Sequence, residues 1–99
     1  MSNWVLYGAY GYTGQLIIEE ALARGHRPFL SGRNAAKLEP IADKFGLPWK
    51  AVDLSNSSAL DELLSEAELV LHSAGPFIHT SKPMIEACLR TKTHYLDIT

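Results

Sequence analysis

The chain has 99 residues, of which 46% are hydrophobic and 20% are charged, and its formal net charge at pH 7 is -2. This length suffices for one hydrophobic core, so two independent domains are excluded and a single domain over residues 1–99 is expected. The chain has no basic excess for a nucleic-acid backbone or an anionic membrane, and its apolar runs are far shorter than the about 20 residues that cross a bilayer.

The first predicted unit is a strand over residues 3–7 followed by a helix. The glycine-rich residues 8–14 form the turn between them, and the helix is expected to end near Gly25. Apolar residues at helical spacing predict its buried face. They are Leu16, Ile17, Ala21 and Leu22.

The second predicted strand, over residues 28–31, leads into a helix with Asn34 as its N-cap. The buried face of this helix is expected to comprise Leu38, Ile41, Ala42 and Phe45. A third strand over residues 49–53 precedes a short helix, for which residues 55–58 offer several N-caps. Its apolar residues are Leu60, Leu63 and Leu64.

The fourth predicted strand, over residues 69–73, is an apolar run typical of the centre of a sheet, and it ends at residues 74–77. Proline is favoured in the first turn of a helix, so Pro83 predicts the start of the next one. A last strand-like stretch covers residues 93–99. The inner face of the helix is predicted to comprise Met84, Ile85, Cys88 and Leu89.

Five strands alternating with four helices predict an α/β fold with a doubly wound parallel sheet. With right-handed connections, the simplest strand order for such a sheet is 3-2-1-4-5. Because the chain ends on an apolar strand with no helix after it, we expect it to be a piece of a larger protein.

Three glycines at a spacing of three lie between the first strand and the first helix, as in a dinucleotide-binding turn. Such glycines turn the chain tightly, let a pyrophosphate approach bare backbone and allow close contact between helix and strand. The helix start adds free N–H groups and a positive dipole end. Thr13 either donates its hydroxyl to a phosphate or faces solvent. The predicted contacts are Gly8, Tyr10, Gly11, Tyr12, Thr13 and Gly14.

The residues after the second strand favour NADP over NAD. An acidic residue there would bind the ribose 2'-hydroxyl of NAD and repel a 2'-phosphate, and this chain has none. Arg33 can instead form charge-assisted bonds to the phosphate, unless it is a solvated arginine at a helix start. The predicted phosphate contacts are Ser31, Gly32, Arg33, Asn34 and Lys37.

Two further positions follow strands at the same edge of the sheet. Asp53 either reaches the adenine amino group or caps the turn after the third strand. The small residues after the fourth strand either let ribose and pyrophosphate pass close to backbone or form a tight turn. These residues are Ser73, Ala74, Gly75 and Pro76.

Four stretches carry a family resemblance: residues 8–14, 31–38, 74–77 and 93–99. They resemble the GATGYTG, AGRN, AGPF and THYVDLTGE-like motifs of the saccharopine dehydrogenase-like (saccharopine reductase-like) NADP-binding proteins, across nearly the whole chain. Tyr10 departs from this pattern, since Thr is usual there, and places a bulky ring by the pyrophosphate turn. The resemblance implies an N-terminal Rossmann domain of an oxidoreductase, with the small-molecule substrate and homodimer contacts in a larger C-terminal part.

No catalytic residue is predicted. The chain lacks the Tyr-x-x-x-Lys pair that supplies a general acid in short-chain dehydrogenases. Its histidines have no helical i,i+4 pairing and no cysteine partner, so no metal site is expected. His79 is the one histidine expected near a nicotinamide, unless it is a solvated loop residue.

The single cysteine, Cys88, cannot form an intrachain disulfide and is expected to be a buried apolar residue. No basic leader precedes the first strand, so a cytoplasmic location is expected. An alternative function is a non-catalytic NADP-sensing module of the NmrA kind, which shares the glycine spacing. The motifs at residues 74–77 and 93–99 favour the oxidoreductase.

Overall fold

A computed structural model of the chain describes residues 3–73 and 77–97, and for residues 77–80 it describes the backbone alone. Strands and helices alternate throughout. In chain order they are β1 (Trp4–Tyr7), α1 (Tyr12–Ala23), β2 (Phe29–Gly32), α2 (Ala35–Phe45), β3 (Trp49–Ala51), α3 (Ser57–Leu64), β4 (Leu69–His72), α4 (Phe77–Thr91) and β5 (His94–Asp97).

The five strands form one parallel sheet in the order β3-β2-β1-β4-β5, which confirms the predicted topology. β1 is central, and Leu6 lies opposite Leu30 on one side and Leu71 on the other. The chain leaves β1 toward β2 and later returns to β4 on the opposite side of β1. The carboxyl ends of β1 and β4 therefore flank the point where the winding reverses, which is where ligands bind in such sheets.

Helices cover both faces of the sheet, because alternate strand residues point to opposite sides. Leu6 and Leu30 pack with Ile18 of α1 and Leu38 of α2. The other face has its own cluster, to which α3 and α4 contribute. Its fully or almost fully buried members include Val5, Val70, Leu60, Leu64 and Met84. Two buried faces explain the continuous apolar runs of the central strands.

Two helices begin at asparagines, as their sequences indicate. The Asn34 side chain accepts a hydrogen bond from the Lys37 backbone N–H at 3.2 Å, as predicted for α2. Among residues 55–58, Asn56 caps α3 by accepting from the Ala59 N–H at 3.1 Å. Gly46 ends α2 in the left-handed conformation with φ 66°, which glycine adopts without strain.

The buried face of α1 differs from the prediction. Gly14, Ile18 and Ala21 are buried, at the spacing of four and three residues that aligns them on one side of the helix. Leu16 is 47% exposed, so its placement on the inner face is wrong. Two residues before Ile18, it lies about 200° around the helix and points away from the sheet.

The buried face of α4 differs in the same way. Met84, Ala87 and Cys88 are buried, whereas Ile85 is 39% exposed and Leu89 is 76% exposed. The prediction is correct for Met84 and Cys88, misses Ala87 and is wrong for the other two. Ala87 belongs to the same buried cluster as Met84 and Cys88. Ile85 and Leu89, four residues apart, share the face that points outward.

α4 begins at Phe77, so Pro83 lies inside this helix and the start predicted there is wrong. Proline lacks the N–H that the fourth preceding carbonyl would accept, and it therefore removes one helical hydrogen bond. The helix continues through it, and the buried residues after Pro83 keep this segment on the core.

Candidate functional site

The turn after β1 is tied to both neighbouring strands. Gly8 has φ 89°, a conformation that favours glycine, and its N–H donates to the Ser31 carbonyl of β2 at 2.8 Å. Ser73, just after β4, places its hydroxyl 3.1 Å from the carbonyl oxygens of Tyr7 and Gly8. The backbone of this turn is thus fixed between the strands on either side.

The other two glycines of the turn meet opposite surroundings. A Cβ at Gly14 would lie 2.6 Å from the Ala9 carbonyl oxygen and 2.8 Å from its carbon, so α1 contacts the turn too closely for a side chain. A Cβ at Gly11 would meet nothing within 4 Å. The close contact at Gly14 is as predicted, and the space at Gly11 leaves bare backbone open to a ligand.

The first turn of α1 offers backbone donors beside this space. The first intrahelical bond runs from the Gln15 N–H to the Gly11 carbonyl at 3.0 Å, so the N–H groups of Tyr12, Thr13 and Gly14 are not used within the helix. Tyr12 and Thr13 are exposed. Together with the positive end of the helix dipole, this arrangement fits the pyrophosphate of a dinucleotide.

Ser31, near the end of β2, forms a hydrogen bond within the sheet. Ser31 is fully buried, and its hydroxyl donates to the Lys50 carbonyl of β3 at 2.7 Å. Its single proton is committed there, so the expectation that Ser31 donates to a phosphate is not supported. Asn34 uses only its oxygen to cap α2, and its amide nitrogen is the atom that could donate to an anion.

Two exposed cations follow β2 in the chain, and the Tyr10 ring lies near them. Arg33 and Lys37 are both exposed. The ammonium of Lys37 lies 5.9 Å from the centre of the Tyr10 ring. A Cβ at Gly32 would lie 2.6 Å from Cε1 of the same ring. Tyr10 was expected beside the pyrophosphate turn, and its ring in fact reaches across to the end of β2.

Asp53 folds its side chain back onto its own turn. Its Oδ1 accepts from the Ser55 backbone N–H at 2.9 Å and from the Ser55 hydroxyl at 2.8 Å. These bonds, with a smaller contribution from the charge of Arg33, hold the pKa of the Asp53 carboxyl below its usual value. The geometry matches the turn-capping alternative, and it places Asp53 in the electrostatic range of Arg33.

The ends of β1, β2 and β3 converge around Tyr7, which sequence reasoning did not single out. Its buried hydroxyl donates to the Val52 carbonyl at 2.6 Å. Burial raises the pKa of the Tyr7 phenol well above its usual value, Tyr10 and Asp53 raise it further, and Arg33 lowers it. The side chains after three strands therefore share one electrostatic neighbourhood, and the strand order 3-2-1 is the signal that predicts it.

Part of the predicted site lies outside the described residues. Ala74, Gly75 and Pro76 belong to this part, as do the last two residues, 98 and 99. The side chain of His79 is likewise outside the description.

Residues 3–73 and 77–97 contain neither a metal-binding cluster nor a membrane-spanning helix. This portion contains no group of three or more His, Cys, Asp or Glu side chains that could hold a metal ion. None of its helices is long and apolar enough to cross a bilayer.

His72, at the end of β4, is buried and makes edge-on ring contacts with Tyr7 and Tyr95. Its ring centre lies 5.7 Å from that of Tyr7 and 6.1 Å from that of Tyr95.

Comparison with known protein families gives a match over almost the whole chain. The model of the saccharopine dehydrogenase NADP binding domain matches residues 4–99. A trans-acting enoyl reductase of Mycobacterium ulcerans is 32% identical over 102 residues, which cover 96% of this chain and 24% of that protein. A saccharopine dehydrogenase-like oxidoreductase of Mus musculus is 32% identical over 113 residues, covering 95% of this chain and 26% of that protein. The chain thus spans about a quarter of the length of these relatives.

Solved structures share the fold. Apo saccharopine dehydrogenase (L-Glu forming) from Saccharomyces cerevisiae superposes with a TM-score of 0.85 at 23% identity, covering 98% of this chain and 21% of that chain. Gre2 from Candida albicans gives a TM-score of 0.80 at 19% identity, covering 98% of this chain and 36% of that chain. At these identities the likeness establishes the fold alone.

Proposed function

This chain belongs to the family of saccharopine dehydrogenase NADP-binding domains, and we propose that it binds NADP(H) through the turn after β1 and the cations after β2. In this proposal the pyrophosphate lies over the bare backbone at Gly11 and accepts hydrogen bonds from the first N–H groups of α1. The open space at Gly11, next to the closed contact at Gly14, supports it. The helix dipole adds a favourable charge at the same point.

The choice of NADP over NAD is assigned to Arg33, with Lys37 as a second cation. Both side chains are exposed at the end of β2, and residues 31–34 contain no acid that would repel a 2'-phosphate. This pair of cations is the observation that carries the proposal. Asn34 lies between them in sequence and contributes its amide nitrogen as a neutral donor.

The remaining predicted contacts have supporting roles. Gly32 accommodates the Tyr10 ring at the end of β2, and Ser73 holds the turn after β1 in place. Asp53 fixes the turn after β3, which borders the adenine end of the proposed site. We further propose that the ribose and the pyrophosphate pass close to Ala74, Gly75 and Pro76.

The longer protein to which this domain belongs is proposed to be an oxidoreductase. The bound nicotinamide supplies the hydride-transfer chemistry, and this chain's residues bind and orient the cofactor. A small-molecule substrate, its catalytic residues and any homodimer contacts are assigned to the rest of the protein. A regulatory module of the NmrA kind is not favoured, because the family model and the relatives are of oxidoreductase type. A cytoplasmic location completes the proposal.

The test compares NADPH and NADH binding to Arg33→Ala by calorimetry. Loss of a charge-assisted contact worth about 1.5 to 3 kcal/mol should weaken NADPH by about ten- to a hundredfold and leave NADH nearly unchanged. Arg24→Ala is the matched control, since Arg24 is an exposed arginine paired with Glu20 at the far end of α1. Equal losses for both cofactors in Arg33→Ala would reject the assignment. Turnover of the full-length protein with NADPH then separates an oxidoreductase from a sensor.

A further inference from the structure

The Tyr10 ring lies between Gly32 and Lys37. A Cβ added at Gly32 would be 2.6 Å from Cε1 of this ring, 3.3 Å from Cζ and 3.4 Å from Cδ1. The Lys37 ammonium is 5.9 Å from the ring centre. One aromatic side chain thus fills the volume that a side chain at position 32 would need, and it also attracts a cation from the first turn of α2.

The contact with the Tyr10 ring restrains the Lys37 ammonium relative to the backbone at Gly32. An exposed lysine has four rotatable side-chain bonds, and ordering it costs entropy whenever it binds an anion. A ring beneath the ammonium reduces the number of positions that the ammonium samples before the anion arrives. Gly32 is bonded directly to Arg33, so the ring holds Lys37 next to the backbone that carries the first cation.

We propose that Tyr10 is a positioning residue for the ribose 2'-phosphate: it holds the Lys37 ammonium on the Arg33 side of the β2 end, so that two cations bind the phosphate together. This inference rests on the proposed function. A threonine at position 10 would have no ring and would leave the Lys37 ammonium without this contact. Tyr10 therefore sharpens the preference for NADP in this chain.

The glycine at position 32 follows from the same arrangement. Ordinary contacts begin at 3.4 Å, so an alanine there would push the ring by about 0.8 Å and move it from beneath Lys37. With a smaller residue at position 10, the same alanine would meet no ring. Gly32→Ala should thus weaken NADPH binding in the native background and have little effect in Tyr10→Thr.

The experiment measures NADPH and NADH affinities of the full-length protein by calorimetry. Tyr10→Thr should weaken NADPH by about two- to fivefold, the range for an exposed cation–π contact, and leave NADH within twofold. Tyr10→Phe keeps the ring and should retain the native NADPH affinity. Lys37→Met should weaken NADPH, and adding Tyr10→Thr to it should weaken NADPH no further.

Lys44→Met is the matched control. Lys44 belongs to the same helix and also lies over a ring, 5.1 Å from the centre of Phe45, but at the other end of α2. It should change neither affinity, and circular dichroism of each variant checks that the fold is kept.

The outcomes separate this inference from the proposed function. If Arg33→Ala abolishes the preference for NADPH while Tyr10→Thr leaves it unchanged, or weakens both cofactors equally, the role of Tyr10 is wrong and the site stands. Full additivity of Tyr10→Thr and Lys37→Met also overturns it. If Arg33→Ala has no selective effect, the proposed site itself fails.

Discussion

Replacing Gly14 by alanine tests the close contact between α1 and the turn after β1. The new Cβ would lie 2.6 Å from the Ala9 carbonyl oxygen and 2.9 Å from that of Gly8, where ordinary contacts begin at 3.4 Å. Both neighbours are backbone in a turn that β2 and β4 hold in place, so the helix start must move. Overpacking of this kind costs up to about 3 kcal/mol, and alanine returns about 1 kcal/mol through its higher helix propensity.

The net expectation for Gly14→Ala is a loss of about 2 kcal/mol of unfolding free energy, which lowers the Tm of a domain this size by about 8 to 16 °C. Thermal and urea unfolding followed by circular dichroism measure it. Gly11→Ala is the control, because position 11 has φ -80° and nothing within 4 Å of a Cβ. An unchanged Tm for Gly14→Ala, or an equal loss for the control, would show that the close contact at position 14 does not limit its side chain.

Four further outcomes are expected. Gly11→Val should abolish NADPH binding with a modest stability change, and calorimetry showing native affinity would contradict this. Tyr7→Phe should lower the urea-unfolding free energy by about 1 to 2 kcal/mol, because it removes a buried hydrogen bond; no change would exclude that bond. Hydrogen bonds from Arg90 hold the pKa of the Asp61 carboxyl below its usual value. The ion pair therefore stabilises the fold above the unfolded pKa of about 4, and this contribution is lost as the pH falls through the lower folded pKa. Arg90→Gln should therefore be less stable at pH 7, and its stability should approach that of the native protein as the pH falls below the folded-state pKa of Asp61. A difference that stays constant with pH would argue against the linkage. The isolated 99 residues should self-associate through the edge strand β5, where Leu96 is 55% exposed, and Leu96→Lys should reduce it; sedimentation showing a monomer at every concentration would contradict this.

The parts of the fold that follow local rules were predictable from the sequence. Strand–helix alternation and right-handed connections leave only a few strand orders, of which the simplest, 3-2-1-4-5, is the one observed. Gly8 and Gly14 have local reasons to be glycine, a positive φ and a close contact, and the spacing indicates both. Asn34 caps α2 because its short polar side chain can accept from the third following N–H.

Errors and unforeseen contacts both arise where tertiary packing decides between options that the sequence leaves equal. Leu16 is as apolar as its buried neighbours, but the sheet meets the side of α1 that carries Ile18. The Ser31 hydroxyl could donate to a ligand or within the sheet, and in the structure it donates to the Lys50 carbonyl of β3. The contact of Tyr10 with Gly32 joins two loops that only the strand order brings together.

A crystal structure of the complex with NADP+ would show whether the turn after β1 and the cations after β2 bind the cofactor. We expect the 2'-phosphate within hydrogen-bonding distance, about 3 Å, of the Arg33 guanidinium, with the Lys37 ammonium also beside it. We expect the pyrophosphate over Gly11, against the first N–H groups of α1. A 2'-phosphate facing solvent away from both cations, or a pyrophosphate bound elsewhere than at this turn, would rule out the proposed site.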